Sequence, residues 1–312
     1  MPLSRQKPAP AHPKQRQVEL PWTTPKPDIE DPRASGLIGA ILQSPEYRQA
    51  DEDVAFLQRD DTRGVRLQLD YQKAETLFEE HGIAHSIVVF GSTRIPEPRA
   101  ARQKVADLET ALSAAPGDKA IAQRLAIARR VLDKSRYYEI AQEFGQIVGR
   151  AEGEMGNKLA VITGGGPGLM EAANRGAHDV DACTVGLNIN LPHEQYPNPY
   201  LTPGLCFRFH YFAMRKLHFL LRARALVVFP GGFGTMDELF ETLTLIQTRK
   251  IPPVPVVLVG RSYWQRAFDP EFLVEEGVID PEDRDLFWYA ETADEIWDDI
   301  RNWYARSGKT LT

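Results

Sequence analysis

Six short apolar runs, at 86–91, 159–163, 184–188, 205–209, 225–229 and 254–259, constrain this chain more than any other feature. They lack the sustained apolar–polar alternation of a strand with one wet face, so each needs cover on both sides. The chain supplies that cover as amphipathic stretches near 136–152, 168–179, 211–223, 235–248 and 262–276. Strands separated by helices join through right-handed crossovers and lie parallel. The expected fold is α/β, a Rossmann-like parallel sheet sandwiched by helices.

Three segments fall outside this repeat. Residues 99–134 place Val105, Leu108 and Leu112, then Ile121, Leu125 and Leu132, around a turn at Ala115-Pro-Gly-Asp118. That spacing predicts an inserted helical hairpin whose apolar stripe must be covered by its own domain or by a second subunit. Residues 36–82 read as a helical extension, with Leu67, Tyr71, Ala74, Leu77 and Phe78 at helical spacing and Gly82 at a left-handed stop. Residues 1–35 carry eight prolines and few large apolar groups, so they read as a disordered or draped arm, leaving 83–312 as the main domain.

Charge and cysteine usage narrow the partners. The net charge is −6, and since five cations face only Glu19 in residues 1–27, the acidic excess lies in the body. A broad nucleic-acid binder needs the opposite balance. No apolar run reaches the roughly 18 residues of a membrane span, and the N-terminus lacks a secretory core, so a cytoplasmic protein without a membrane partner is expected. Cys183 and Cys206 lie in strand-like runs and read as reduced core thiols.

Three strand ends carry glycine: Gly91-Ser92-Thr93, Thr163-Gly-Gly-Gly-Pro-Gly168 and Pro230-Gly-Gly-Phe-Gly-Thr235. Each leads towards a helix, where outward-facing amides and the helix dipole favour an anion and glycine lets it approach. Ligands of open α/β sheets bind along that edge. A dinucleotide fingerprint would need G-x-G-x-x-G after the first strand, but the chain reads Gly91-Ser-Thr-Arg-Ile-Pro96 there, and it contains no G-x-x-x-x-G-K-[ST]. Near the third loop stand Arg215 and Lys216, on the preceding helix, and Asp237 and Glu238, at the start of the next.

Met214-Arg215-Lys216 followed by Pro230-Gly-Gly-Phe-Gly-Thr-Met-Asp-Glu238 resembles the signature of the Lonely Guy family, the cytokinin riboside 5'-monophosphate phosphoribohydrolases. The segment Gly164-Gly-Gly-Pro-Gly-Leu-Met-Glu-Ala-Ala-Asn174 resembles the family's second glycine motif. The arm, extension and hairpin resemble its longer branch. The resemblance implies hydrolysis of the N-glycosidic bond of a nucleoside 5'-monophosphate, either a cytokinin riboside monophosphate or AMP, to free base and ribose 5-phosphate. It implies Arg215 and Glu238 as the catalytic pair, Gly231, Gly232, Gly234 and Thr235 as the phosphate loop, and Thr244 as a ligand-side residue.

Gly165, Gly166, Gly91, Ser92, Lys216 and Glu194 complete the expected nucleotide-binding set. A carboxylate beside a ribosyl ring stabilises the positive charge that grows as the bond breaks, and a guanidinium grips phosphate or polarises the base. One of Phe207, Phe209, Tyr211 and Phe212 could flank a purine, the rest being core or subunit contacts. His193-Glu194 does not extend to H-E-x-x-H, and neither a metal nor a cofactor is expected. Relatives have been labelled lysine decarboxylases, but no lysine stands in an evident pyridoxal-phosphate setting. The alternative is a non-catalytic nucleotide or cofactor carrier on the same fold. A third possibility is an assembly protein that uses the arm and hairpin. The family resemblance also implies a homodimer or higher homo-oligomer.

Overall fold

The computed structural model describes residues 23–155, 159–190 and 196–311. The chain divides into two compact units, Met1–Arg66 and Leu67–Thr312. In the first, α1 (Ala34–Gln43) and α2 (Val54–Leu57) are short, and Leu37, Ile41 and Leu42 are exposed. Its best-satisfied point is Thr62, whose hydroxyl donates among the Phe56, Leu57 and Arg59 carbonyls, beside Arg66 Nη1 on Leu57 O at 2.6 Å.

Most of α3 (Arg63–Glu80) belongs to the second unit, and Gly82 ends it in the left-handed region at φ +66°. Then come β1 (His85–Phe90), α4 (Pro98–Ala114), α5 (Lys119–Lys134), α6 (Arg136–Met155), β2 (Leu159–Thr163) and α7 (Leu169–His178). The chain continues through β3 (Thr184–Ile189), β4 (Cys206–Phe209), α8 (Phe212–Leu221), β5 (Ala223–Val228), α9 (Phe233–Gln247) and β6 (Val256–Val259). It finishes with α10 (Arg261–Ala267), α11 (Pro270–Glu275), β7 (Trp288–Ala290) and α12 (Ala293–Ser307).

The seven strands among the described residues are all parallel, in the order β4-β3-β2-β1-β5-β6-β7. The expected α/β sandwich is therefore present. Alternate residues of β1 feed opposite cores: Ile87 and Val89 pack with α6, α7 and α12, whereas Val88 and Phe90 pack with Phe78 of α3, Phe219 of α8 and Leu239 of α9. From β1 the chain builds outward to β4, then returns to place β5 on the other side of β1. That reversal is the switch point at which a crevice opens.

Two readings change, and one of two alternatives is met. β4 is an edge strand with Phe207 and Phe209 inward and Cys206 and Arg208 outward, so Cys206 is an exposed free thiol rather than a core one, while Cys183 is only partly buried. β7 and α12 extend the sheet and its cover beyond the six runs read from sequence. The hairpin stripe takes the first of its two expected covers: Val105, Leu108, Leu125 and Ala128 bury one another, flanked by Leu112, Ile121 and Leu132. Asp118 caps α5 by accepting from the amides of Ala120 and Ile121. No helix among the described residues is long and apolar enough to cross a membrane.

Candidate active site at the switch point

A cavity of about 560 Å³ opens where the carboxyl ends of β1 and β5 diverge. From the β1 side it is lined by Gly91, Ser92, Thr93 and Arg94, and from the β5 side by Gly232, Phe233, Gly234, Thr235 and Glu238. Gly164, Asn188 and Arg215 reach it from their own strand ends and from α8. Six expected residues thus meet with Arg215 and Glu238 in one space: Gly91, Ser92, Gly232, Gly234 and Thr235 line it, and Gly231 lies beneath, where its carbonyl accepts from the Tyr263 hydroxyl.

The N-terminus of α9 faces this space without a side-chain cap. The amides of Thr235 and Met236 turn back to the Gly232 carbonyl, and those of Phe233 and Gly234 precede any helical acceptor. A Cβ on Gly232 would meet nothing within 4 Å, so the room beside these donors is open. The fixed partial positive charge at this end suits an anion.

Glu238 sits in the second turn of α9 and is 5% exposed. Burial raises its carboxyl pKa to about 7 from an ordinary 4.5, against the pull of Lys216 and Arg215 and with a further push from Glu241 and Asp237. Arg215 comes from the first turn of α8, where Nε donates to Leu187 O at 2.6 Å and the guanidinium lies 5.1 Å from the Phe219 ring centre. Burial lowers its pKa, while Glu238 and Asp237 work to raise it. The glycine at 164 makes room for this arginine, since a Cβ there would lie 2.5 Å from Nη2.

Other expected residues stand elsewhere. Lys216 turns away from the cavity and bridges Asp237 at 2.9 Å and Glu241 at 3.0 Å. Burial disfavours its charge, but those two hydrogen bonds outweigh it and raise its pKa. Thr244 is exposed, with its hydroxyl spent on Phe240 O at 2.7 Å. Gly165 and Gly166 lie behind the cavity wall in a buried amide network. The Gly165 N–H donates to Thr163 Oγ1, Asn198 N to Gly165 O, and Asn198 Nδ2 to Gly166 O and Asn174 Oδ1. Glu194 and His193 lie outside the described residues.

The structure adds lining residues that the sequence reading did not single out: Phe90, Thr93, Arg94, Gly164, Met170, Asn188, Ile189 and Phe233. The signal was available, because each sits at a strand's carboxyl end or inside a quoted glycine motif. Of the four aromatics considered for a purine, Phe207 and Phe209 are core and only Phe212 lines the cavity. A larger apolar cavity of about 1210 Å³ runs along α8 and α9 to Ala223 and Arg224 at the start of β5. It lies away from the glycine loops and lacks the acid–guanidinium pair.

An open, doubly wound α/β sheet with an uncapped helix terminus and a buried acid–guanidinium pair at its switch point is the class these observations define. Residues 170–300 match a family model described as "possible lysine decarboxylase". Cytokinin riboside 5'-monophosphate phosphoribohydrolase LOG3 of Arabidopsis thaliana is 29% identical over 167 residues, 52% of this chain and 74% of the relative. The phosphoribohydrolase LOG of Oryza sativa subsp. japonica is 29% identical over 182 residues, 52% of this chain and 72% of its own. The resemblance drawn from the motifs holds: over about half of its length this chain is similar to the Lonely Guy phosphoribohydrolases. Among solved structures, the molybdenum cofactor binding protein of Rippkaea orientalis is similar at a TM-score of 0.38 and 19% identity, over 54% of this chain and 87% of that one. That likeness is too distant to bear on function.

Proposed function

We propose that this protein hydrolyses the N-glycosidic bond of a nucleoside 5'-monophosphate, a cytokinin riboside monophosphate or AMP, releasing the base and ribose 5-phosphate. The observation that carries the reading is the meeting of Glu238, Arg215 and the uncapped α9 terminus in one cavity. The relatives' activity, by their names, is the same chemistry.

In this reading the 5'-phosphate sits on the α9 amides and Thr235, which places the ribose over Glu238. As the C1'–N bond lengthens, positive charge grows on the sugar and the Glu238 carboxylate stabilises it. Water adds to C1', giving up one proton to Glu238, while the base leaves with the bond's electron pair and takes a proton from solvent. Glu238 then returns its proton to solvent, so one water is consumed and no net proton is gained or lost. Arg215 stabilises the negative charge that gathers on phosphate or departing base. Among the described residues that line this cavity there is no lysine to hold pyridoxal phosphate, so the reading rests on Glu238 and Arg215 instead.

The test is direct. Purified protein incubated with AMP or isopentenyladenosine monophosphate should release free base on chromatography. Binding of both nucleotides without release would replace the enzyme by a carrier. We also propose the homo-oligomer that the family resemblance implies, with the apolar groove beside α8 and α9 as its surface. A light-scattering mass near 35 kDa at micromolar concentration would remove it.

A further inference from the structure

Arg215 is held in the cavity with the help of α3, a helix that supplies none of the residues lining it. The first turn of α8 begins after Tyr211, which caps the helix in an extended conformation without any side-chain cap of its own. The acceptor comes instead from α3: Asp70 Oδ2 takes the amide of His210 at 2.9 Å and that of Tyr211 at 2.8 Å. The other face of the Tyr211 residue then makes the helix, as its carbonyl accepts from the amide of Arg215 at 3.2 Å. One carboxylate oxygen is thus a single residue away, through hydrogen bonds, from the backbone of the cavity's arginine.

The far end of α8 is fastened by the same helix. Glu75, just over one turn along α3 from Asp70, pairs with both terminal nitrogens of Arg222 at the C-cap of α8, at 3.1 and 2.6 Å, and Arg222 Nε donates to Ile83 O. Between the two fastenings His218 is fully buried against Tyr71 and Phe78. An α8 held at both ends cannot slide or rotate without breaking charge-assisted bonds. Misplacement of a catalytic group by a fraction of an ångström is costly in rate, so the clamp has a functional consequence.

We infer that Asp70 is a positioning residue for Arg215, acting through the two amides at the start of α8. The inference rests on the functional reading given above only for its kinetic half. Asp70→Asn keeps an acceptor oxygen and Asp70→Ala removes it. Hydrogen exchange on the ligand-free protein should show residues 210–215 exchanging at least tenfold faster in Asp70→Ala and close to the parent in Asp70→Asn. Unchanged exchange in Asp70→Ala, or equal acceleration in both variants, overturns the clamp whatever the protein's substrate is.

The link to Arg215 is read from kinetics. Asp70→Ala should lower kcat for base release on the order of tenfold with KM changed less than threefold, and Asp70→Asn should restore most of it. In an Arg215→Lys background the same Asp70→Ala change should cost less than twofold, because the group it positions is gone. A full tenfold further loss there would show a general structural role and overturn the assignment. Should the parent release no base, the same four-way comparison on AMP affinity by calorimetry decides it. Should it neither release base nor bind AMP, the functional reading fails while the exchange experiment still decides the clamp.

Discussion

The two long glycine loops look alike in sequence and do different work. At 164–168 the loop is closed: the first amide of α7, that of Leu169, donates to the Ser92 carbonyl at 3.1 Å, and Gly168 adopts φ +76° with the same carbonyl where a Cβ would be. At 231–235 the loop is open, with the α9 amides facing the cavity and clear space beside Gly232. Glycine at a strand–helix junction therefore has two distinct uses, packing of backbone on backbone and approach of a ligand. Only the neighbours of the helix terminus tell them apart.

The sharpest way to break that comparison is to fill both loops. Gly232→Val has room in the folded chain, so it should leave Tm within about 2 °C while lowering kcat/KM for AMP on the order of 10³-fold by walling off the amides. Normal turnover in this variant would show that no anion docks there. Removing the anion instead of blocking its seat makes the same point, and adenosine should be a poorer substrate than AMP by on the order of 10²-fold or more in kcat/KM. Comparable values for the two would separate the α9 terminus from substrate binding.

Glu238→Gln should keep AMP binding and lose on the order of 10²-fold in turnover. If the carboxylate is the working form, parent kcat/KM rises with pH through about 7, the value to which burial raises this group, and the rise disappears in the variant. Stability moves the other way. A carboxyl whose folded pKa is raised contributes its full stability below the unfolded value, near 4.5, and loses it as pH climbs to about 7. Glu238→Gln should therefore match the parent at pH 4 and melt higher at pH 8, by up to about 3 kcal/mol or several degrees. Equal melting at pH 8 would deny the burial cost.

The closed loop answers with stability alone. Gly168→Ala must hold a positive φ and displace the Ser92 carbonyl, so Tm should fall by about 5–10 °C. A variant that melts normally but fails to bind AMP would reverse the assignments of the two loops.

The parts of the molecule legible in sequence are those governed by periodicity and by glycine. β1, β2, β5 and β6 are apolar on both faces and stood out as runs. β7 did not, since three residues at a sheet edge carry too little pattern to register, and α12 was missed with it. Cys206 departs from the pattern of a run buried on both faces because β4 lies at the sheet edge, where alternate residues face solvent. Arg215 and Glu238 were legible from their motif. Lys216 was not separable from Arg215 by spacing, because adjacent residues on a helix point about 100° apart and only one could face the cavity. The tie from Asp70 spans 140 residues of sequence, and no local pattern announces it.

The hairpin that buries its own apolar stripe has a practical consequence. α4 and α5 form an arm on the order of 25 Å long, and the chain running into it is grounded before it leaves the body, by Ile95 in the core and by Glu97 on Arg175 of α7 at 3.1 Å. Its tip at Pro116 and Gly117 is consequently insulated from Ser92 and Arg94 at the cavity rim. A fluorophore, affinity tag or surface tether placed there would report on this protein without pulling on its chemistry.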